Sequence, residues 1–293
     1  MAYDLQQSTV GLRGEVVEEM IKQISAPTYK FKQAVAVVPT SDWSQTFFRE
    51  NPAVLTAQSG NAIRGLPQGA NFPQASVGFE KVTVRIVKFG LEENIPWEAI
   101  ISGQINIQAR TVIKITQAVV KAVDDEIWDG LTESRAPVLI SSFEIGVGVY
   151  GGHWDEASAA IVNNLMNASR LIAEQNYDVG DLMCFVSPKD KQSIMNFIVN
   201  KGSQFPSLAT GVAENGRIGT LAGITLVESN SVTASWALVC KPKTCATWKE
   251  LVPLRSVTVE DPLKSWKIRI AEEGVLELTD PKCIVLIKNT QSA

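Results

Sequence analysis

The spacing of apolar and polar residues predicts one long helix near the middle of the chain. Between Ile105 and Gly130, apolar side chains recur every three or four residues. The opposite, polar face is marked by Arg110, Lys114, Gln117, Lys121 and Asp124. About 26 residues at 1.5 Å each give a rod of roughly 40 Å, which is well above the usual helix length. We expect this helix to serve as a spine for the elements packed along it, and Gly130 to end it.

The segment before this helix predicts a long hairpin. Val82, Val84 and Ile86 alternate with polar residues, which is typical of a strand with one apolar face. The 21 residues 58–78 hold four Gly, two Pro and two Asn and almost no large apolar side chain, so they have no core of their own. A loop of this length is uncommon inside a compact domain, and we expect it to form the tip of a projecting hairpin.

Two shorter patterns precede the hairpin. Residues 13–25 carry Val17, Ile21 and Ile24 at helical spacing, and Pro27 follows soon after. Residues 30–39 are apolar and rich enough in β-branched side chains for a strand or an extended arm. The N-terminal part of the chain is therefore predicted to combine a helix with an extended segment.

The second half of the chain mixes helices and strands in an irregular order. Asp155 has the character of an N-cap for a second helix, which would bury Ile161, Leu165 and Ala168. From residue 181 onward, short strand patterns alternate with short helical ones. This mixture predicts an α+β fold rather than a regular βαβ repeat.

Composition excludes several classes of function. The 293 residues carry 27 Lys and Arg against 31 Asp and Glu, a formal net charge of −4, so a dedicated nucleic-acid binder is not expected. No apolar run approaches the ~20 residues needed to span a bilayer. The first 20 residues lack the apolar core of a signal peptide, so we expect synthesis in the cytoplasm. A single histidine, His153, leaves little room for histidine-dependent catalysis or metal binding.

The four cysteines do not predict a metal site. Cys240 and Cys245 form a C-x4-C pair without a nearby histidine, which does not match zinc-site spacing. Cys184 and Cys240 lie in apolar runs, where a thiol behaves as a small hydrophobic group. We expect these two, Cys245 and Cys283 to be reduced and structural.

The glycine-rich segment 146–152 is the main candidate for cofactor chemistry. It contains a formal G-x-G-x-x-G at Gly146, Gly148 and Gly151. A dinucleotide site needs a helix that opens within this motif, and the next helix is predicted to start only at Asp155. We expect a flexible connector and assign no catalytic residue, cofactor or metal, although a nucleotide-cofactor enzyme that uses residues 146–151 remains an alternative. His153 has no identifiable catalytic partner, because no G-x-S-x-G is present.

Charge is distributed unevenly along the chain. Residues 51–91 hold four basic residues against one acidic residue, a net +3, whereas residues 124–135 hold one basic against five acidic, a net −4. The two segments could meet between identical subunits or could simply be solvated. The candidate contacts between subunits are Arg64, Lys81, Arg85, Lys88, Asp124, Asp125, Glu126, Asp129 and Glu133. Neighbouring acids such as Glu272 and Glu273 are likewise expected on the solvated surface or in ion pairs between subunits.

The order of these elements resembles the major capsid proteins of tailed bacteriophages and related archaeal viruses, the Hong Kong ninety-seven-like fold. The segment INIQARTVIKITQAVVKAVDDEIWDGL is similar to the spine helix of that family, and FEKVTVRIVKFGLEENIPWEAI is similar to the return strand of its extended loop. DLMCFVSPKDKQSIMNFI and GRIGTLAGITLVESNSV resemble its axial domain. The resemblance implies an N-terminal arm (1–45), an extended hairpin loop (46–92), a peripheral domain with the spine helix (93–150), a mainly axial domain (151–245) and a return to the peripheral domain (246–293).

The resemblance also implies a function. It predicts a structural protein, not an enzyme, that assembles with many copies of itself into an icosahedral shell around double-stranded DNA. The expected partners are scaffold and portal proteins, with decoration proteins as a further option, and packaged DNA touched weakly at the inner surface, but no membrane. The expected location is the virion capsid, after assembly in the host cytoplasm. An encapsulin-like bacterial nanocompartment that encloses a cargo protein is the alternative within the fold.

Some members of the family join subunits through Lys–Asn isopeptide bonds. Lys81 and Lys88 lie on the predicted hairpin, but no motif assigns them this role. We therefore predict no covalent cross-linking.

Overall fold

The predicted spine helix is present as α1, Ile107–Leu131. Its Val112, Ile115 and Val119 side chains are buried against Ile268 and Ile270 of the sheet beneath it.

The end of α1 differs from the prediction. The helix does not end at Gly130, because this residue lies inside its last turn. A Cβ at Gly130 would lie 2.5 Å from Cδ2 of Leu276, so the glycine allows α1 to approach the sheet closely.

The structure is a computed structural model that describes residues 29–50, 68–69, 79–96, 98, 107–132, 140–146, 150–201, 206, 210, 218–261 and 264–292. The predicted helix 13–25, most of the predicted loop tip and the candidate contacts Arg64 and Glu133 lie outside these residues. Within the described residues, no helix is both long and apolar enough to cross a membrane.

A four-stranded sheet lies under α1. Its strands, in spatial order, are β1 (Ala36–Pro39), β10 (Ala246–Asp261), β11 (Ser265–Leu278) and β4 (Val87–Pro96). β1 runs parallel to β10, and the other neighbours are antiparallel. The predicted extended segment 30–39 is therefore partly a strand, and it pairs with the sheet of its own chain.

The predicted hairpin is present at its base. β2 (Ser44–Glu50) pairs antiparallel with β3 (Phe79–Arg85), from Ser44 opposite Arg85 to Glu50 opposite Phe79. On β3, Val82 and Val84 are half-buried whereas Lys81 and Arg85 are exposed, which agrees with the alternation in the sequence. On β2, Phe47 is buried and Arg49 donates to the carbonyl of Leu278, so the hairpin base is held on the body.

The second large sheet of the protein has six strands. Its strands, in spatial order, are β5 (Ser141–Glu144), β12 (Ile284–Lys288), β9 (Trp236–Cys240), β6 (Leu182–Val186), β8 (Ile224–Glu228) and β7 (Thr220–Leu221). Two helices belong to this part of the chain, α2 (Ile161–Ala173) and α3 (Pro188–Asn200). The α3 helix begins with Ser187 as its N-cap, since the Ser187 hydroxyl accepts from the backbone N–H of Asp190.

The start of α2 differs from the prediction. The helix begins at Ile161, and Asp155 lies in a turn six residues earlier. The Asp155 carboxylate accepts instead from the backbone N–H and the hydroxyl of Ser292 near the end of the chain. A side chain that can cap a helix thus fixes the C-terminal residues, while the predicted buried face of α2 (Ile161, Leu165, Ala168) is confirmed.

Candidate subunit interface

The exposed face of the hairpin carries basic and aromatic side chains. Lys81 and Arg85 lie on this face of β3, and Phe48 of β2 lies opposite Lys81 with 59% of its surface exposed. Trp43, just before β2, is 65% exposed. Large aromatic side chains at such exposure are typical of surfaces that bind another protein.

Lys88, the next basic candidate, lies on β4 beside the hairpin. Its Nζ is 3.4 Å from Oε1 of Glu273, a residue on β11 that is nearly buried. The ammonium group is therefore paired inside its own chain, although most of the Lys88 side chain is exposed. Such a pair contributes little to stability by itself.

Asp124 does not have the exposed position that a contact between subunits requires. Its side chain is 3% exposed, and its two carboxylate oxygens accept from the backbone N–H groups of Lys30 and Phe31 at 3.0 and 3.3 Å. Burial raises the pKa of Asp124 to about 6, although these two hydrogen bonds and nearby Lys32 act in the opposite direction. Its assignment to the polar face of α1 is therefore wrong: Asp124 lies four residues after Val120 and three before Ile127, and so belongs to the buried stripe of the helix.

The other acids at the end of α1 remain accessible. Asp125, Glu126 and Asp129 are each partly exposed, and Asp125 lies 3.4 Å from Nζ of Lys121 one turn earlier. Their place in a contact between subunits stays a prediction.

A cavity at the root of the hairpin is lined by residues of both charged segments. Arg85 of β3 and Glu126 of α1 both line a cavity of about 310 Å³ between the hairpin base, the last turns of α1 and the end of β11. Gly130, Leu276 and Leu278 complete its wall. One basic residue of the hairpin and one acidic residue of α1 thus line the same cavity at the root of the hairpin, whereas most of the hairpin tip lies outside the described residues.

A buried charge network that the sequence did not predict joins the N-terminal segment to the four-stranded sheet. Lys32 forms ion pairs with Glu250 of β10 and Glu272 of β11, and the Tyr29 hydroxyl donates to Glu272. Nζ of Lys32 also lies 4.1 Å from the centre of the Tyr29 ring. Burial, followed by the charge of Glu272, raises the pKa of Tyr29 far above its usual range, so the phenol remains a donor.

Glu272 and Glu273 are therefore not on the solvated surface, as their sequence suggested. Glu272 is 0% exposed and Glu273 is 6% exposed. The period of the strand could have predicted the burial of Glu272. Ile268, Ile270 and Glu272 are two residues apart and so lie on the same face of β11, and the two isoleucines are in the core.

The described residues of the glycine-rich segment do not have the structure of a dinucleotide site. β5 precedes it, but the chain turns at Ile145 and Gly146, and the next α-helix among the described residues begins only at Ile161. Gly146 and Gly151 have φ of 84° and 78°, and the N–H of Gly146 donates to the carbonyl of Gly151. The described residues on either side of 147–149 are therefore joined by a backbone hydrogen bond, while residues 147–149, Gly148 among them, lie outside the described residues.

The only histidine fixes this turn to the end of the chain. Nδ1 of His153 donates to the carbonyl of Asn289 at 2.8 Å, since a carbonyl only accepts. The His153 ring also lies close to Gly146, where a Cβ would be 3.1 Å from the ring. These contacts are structural.

The cysteines are also in structural positions. All four are free and buried, and burial raises the pKa of the Cys184 thiol well above its usual range. Within the described part of the chain, no group of three or more His, Cys, Asp or Glu side chains is placed to hold a metal ion.

Comparison with known proteins identifies the fold. The sequence model of a family described as phage capsid protein matches residues 80–287. The virus-like particle from Pyrococcus furiosus has 10% identity and a TM-score of 0.64, covering 94% of this chain and 98% of its own. The capsid of the cyanophage P-SCSP1u is 12% identical to this chain in sequence and matches it with a TM-score of 0.65. The match covers 90% of this chain and 89% of the cyanophage chain. The mature capsid of bacteriophage PhiM1 is 15% identical in sequence, with a TM-score of 0.63. The match covers 90% of this chain and 88% of the PhiM1 chain.

No curated protein matches the sequence of this chain. The solved structures share its fold at low identity, and the predicted α+β capsid fold is confirmed.

Proposed function

The chain belongs to the phage capsid protein family and has a structural, shell-forming role, and we propose that it is a major capsid protein that assembles into an icosahedral shell around double-stranded DNA. The observation that carries this proposal is the extent of the family match, which covers all three described helices and nearly all of both large sheets. Such a protein acts through its shape and its contacts with other copies, not through catalysis. A closed lattice repeats each modest contact many times, so weak contacts suffice when the subunit is rigid.

In this proposal the hairpin is the part of the subunit that reaches a neighbour. Its base is fixed on the body by Phe47 and Arg49, while Phe48 and Lys81 are exposed on the opposite face. Trp43, just before β2, is exposed as well. The partly exposed acids Asp125, Glu126 and Asp129 form a complementary surface for basic residues of a neighbouring subunit. Complementary charges of this kind set orientation and encounter rate more than affinity.

The proposal extends to the contents, partners and site of assembly. A net charge of −4 favours weak, non-specific contact with DNA, because each phosphate neutralised by a basic residue strengthens binding. Scaffold and portal proteins would direct assembly in the host cytoplasm, and the finished subunit would reside in the virion capsid. The domain boundaries at residues 45, 92, 150 and 245 remain part of this proposal.

Electron microscopy of the purified protein tests this function, together with absorbance at 260 and 280 nm. In a phage-infected or induced host, we expect closed shells whose absorbance ratio indicates nucleic acid. Shells that contain a single cargo protein and no DNA would favour a nanocompartment instead. A monomer or dimer under every assembly condition would contradict both kinds of shell.

A further inference from the structure

Two connections between the large sheets lie side by side and hold cysteines. The chain passes from the six-stranded to the four-stranded sheet between β9 and β10, and it returns between β11 and β12. The N–H of Asp280 donates to the carbonyl of Cys245 at 3.0 Å. The N–H of Lys241, the residue after Cys240, donates to the carbonyl of Cys283 at 3.2 Å. The two connections therefore bring three of the four cysteines together where the sheets join.

The three thiols also contact one another. The thiol of Cys245 forms side-chain hydrogen bonds with those of Cys240 and Cys283. The Cys283 thiol lies 3.1 Å from the carbonyl oxygen of Asp280 as well. All three cysteines are free and buried. Two thiols in hydrogen-bond contact need only approach further, to an S–S distance of about 2.0 Å, to form a disulfide.

The thiols of this cluster differ in how readily they lose a proton. Side-chain hydrogen bonds with Cys240 and Cys283 hold the pKa of Cys245 well below its usual range, although burial acts in the opposite direction. The hydrogen bond with Cys245, followed by burial, raises the pKa of Cys283 far above its usual range. Cys245 is therefore the thiolate of the pair, and the thiolate is the form that reacts with oxidants.

We propose that Cys245 and Cys283 form a redox site, which a peroxide converts into a disulfide within the subunit. The Cys245 thiolate attacks one oxygen of hydrogen peroxide, the O–O bond breaks, and hydroxide leaves behind a sulfenic acid. The Cys283 sulfur then attacks the Cys245 sulfur, so that an S–S bond replaces the S–O bond. The displaced hydroxyl leaves with the Cys283 proton as water. The two sulfurs give up two electrons, which reduce the peroxide.

Cys283 is a better partner for this step than Cys240. Cys240 is the last residue of β9 and is paired on both sides, with Ile284 of β12 and Met183 of β6. Cys283 instead ends a single turn of 3-10 helix, Pro281–Cys283, outside the strands. Its sulfur can therefore move toward Cys245 without any strand pairing being broken.

The turn before Cys245 gives a small oxidant access to the cluster. Lys243 and Thr244 are exposed, and Lys243 has a φ of 60°, a left-handed conformation that is costly for a residue with a Cβ. Exposed, strained turns are among the segments that open locally while the rest of the protein stays folded. Hydrogen peroxide is little larger than water, so a small opening suffices.

The disulfide would tie the two connections together at the junction of the sheets. One connection leads into β10 and the other leads out of β11, so the bond limits how far the two sheets can shift against each other. This site belongs to the single subunit and does not depend on the proposed shell.

Peptide mapping of the oxidised full chain tests the proposal. The unassembled protein is treated with hydrogen peroxide, free thiols are blocked with N-ethylmaleimide in denaturant, and trypsin is added without reductant. Each cysteine lies in its own tryptic peptide, namely 171–189, 218–243, 244–249 and 283–288. The main product should be peptide 244–249 joined to peptide 283–288, and dithiothreitol should separate the two. In concentrated urea, where the cluster is lost, the same treatment should give a mixture of pairings.

Two variants identify the roles of the thiols. Cys240→Ala with Cys283→Ala removes both partners, so dimedone should label Cys245 as its sulfenic acid. Cys184→Ala is the matched control, because this buried thiol of β6 takes no part in the reaction and its loss should leave the joined peptide unchanged.

Unfolding in urea gives a second readout. Peroxide should raise the midpoint of the natural chain by about 1 M, as expected for a disulfide, and dithiothreitol should reverse the rise. Cys283→Ala should show no rise. Absence of the joined peptide, a main product that joins 218–243 to 244–249, or an equal yield in urea and in the folded protein would each overturn the proposal.

Discussion

The two large sheets of this protein are stabilised in different ways. The central strands of the six-stranded sheet are covered by apolar side chains, and Ile284, Val285, Leu286 and Ile287 of β12 are all fully buried. The four-stranded sheet instead buries carboxylates, most completely that of Glu272. Apolar burial needs only neighbours of the right shape, whereas a buried charge needs a specific partner. The two sheets should therefore respond to different mutations.

The buried charges of the four-stranded sheet and of α1 hold the N-terminal segment in place. Lys32 joins Glu250 and Glu272, and Asp124 accepts from the backbone of Lys30 and Phe31. Removal of one partner from such a network leaves an uncompensated charge in the interior. The same substitution on an exposed pair changes little, because water replaces the lost partner.

The largest effect is expected from a cavity beside the six-stranded sheet. Leu165→Ala removes a fully buried side chain of α2 and should lower the free energy of unfolding by about 2–5 kcal/mol. Urea unfolding of the unassembled subunit measures this change. Met166→Ala is the matched control, because the next side chain on the same helix is 58% exposed and should cost less than about 0.5 kcal/mol. Equal losses in the two variants would refute the apolar account of this sheet.

A comparable loss is expected in the other sheet when a charge is removed. Lys32→Met leaves Glu272 buried without its cation and should cost about 3 kcal/mol. Hydrogen exchange should accelerate in residues 29–39 and β10 but not in β6. Lys264→Met removes an exposed pair with Asp261 and should have almost no effect. Uniform acceleration across both sheets would mean that the network does not act locally.

Asp124 makes the stability of the part formed by α1 and the N-terminal segment depend on pH. The folded-state pKa of about 6 lies above the ordinary value of 3.8, so the folded state binds this proton more tightly. Its contribution favours folding below pH 3.8 and is lost as pH rises through 6. Asp124→Asn should therefore gain stability relative to the natural chain between pH 4 and pH 7, by on the order of 2 kcal/mol. Urea midpoints at four pH values test this, and a constant difference would contradict it.

The smallest effect is expected from an exposed ion pair beside the six-stranded sheet. Arg170 and Glu174 form an i, i+4 pair on α2, and both side chains are about half exposed. Arg170→Ala should change the free energy of unfolding by only about 0.3–0.5 kcal/mol, and 1 M salt should remove most of that difference. A loss near that of Lys32→Met would show that charge pairs matter equally in both parts of the protein.

The elements of the fold could largely be predicted from the sequence. The spine helix was predicted to within two residues, because its apolar period continues for seven turns. The strand β3 and the buried face of α2 followed from their periods as well. The start of α2 could not be predicted, because Asp155 is an equally good partner for Ser292, which lies 137 residues away.

The charge network could not be predicted as a set of contacts. Lys32 and Glu272 are separated by 240 residues, and no local pattern joins them. The assignment of Asp124 to the polar face of α1 was wrong, and so was the expectation that Glu272 is solvated; both followed the usual exposure of acidic runs, although the periods of α1 and β11 put these positions on buried faces. For both residues, the position within the helix or strand period predicts burial better than the residue type does. A buried carboxylate is tolerated once it has hydrogen-bond or ion-pair partners.

The most direct test of the central claim, that this chain works as a shell-forming tile with a reaching hairpin, is sedimentation velocity of the full chain and of a variant that lacks residues 60–76. The full chain should form closed particles, and the variant should remain as folded subunits with an unchanged urea midpoint. Particles of unchanged yield and stability from the variant would contradict the role of the hairpin. A full chain that never assembles would contradict the account as a whole.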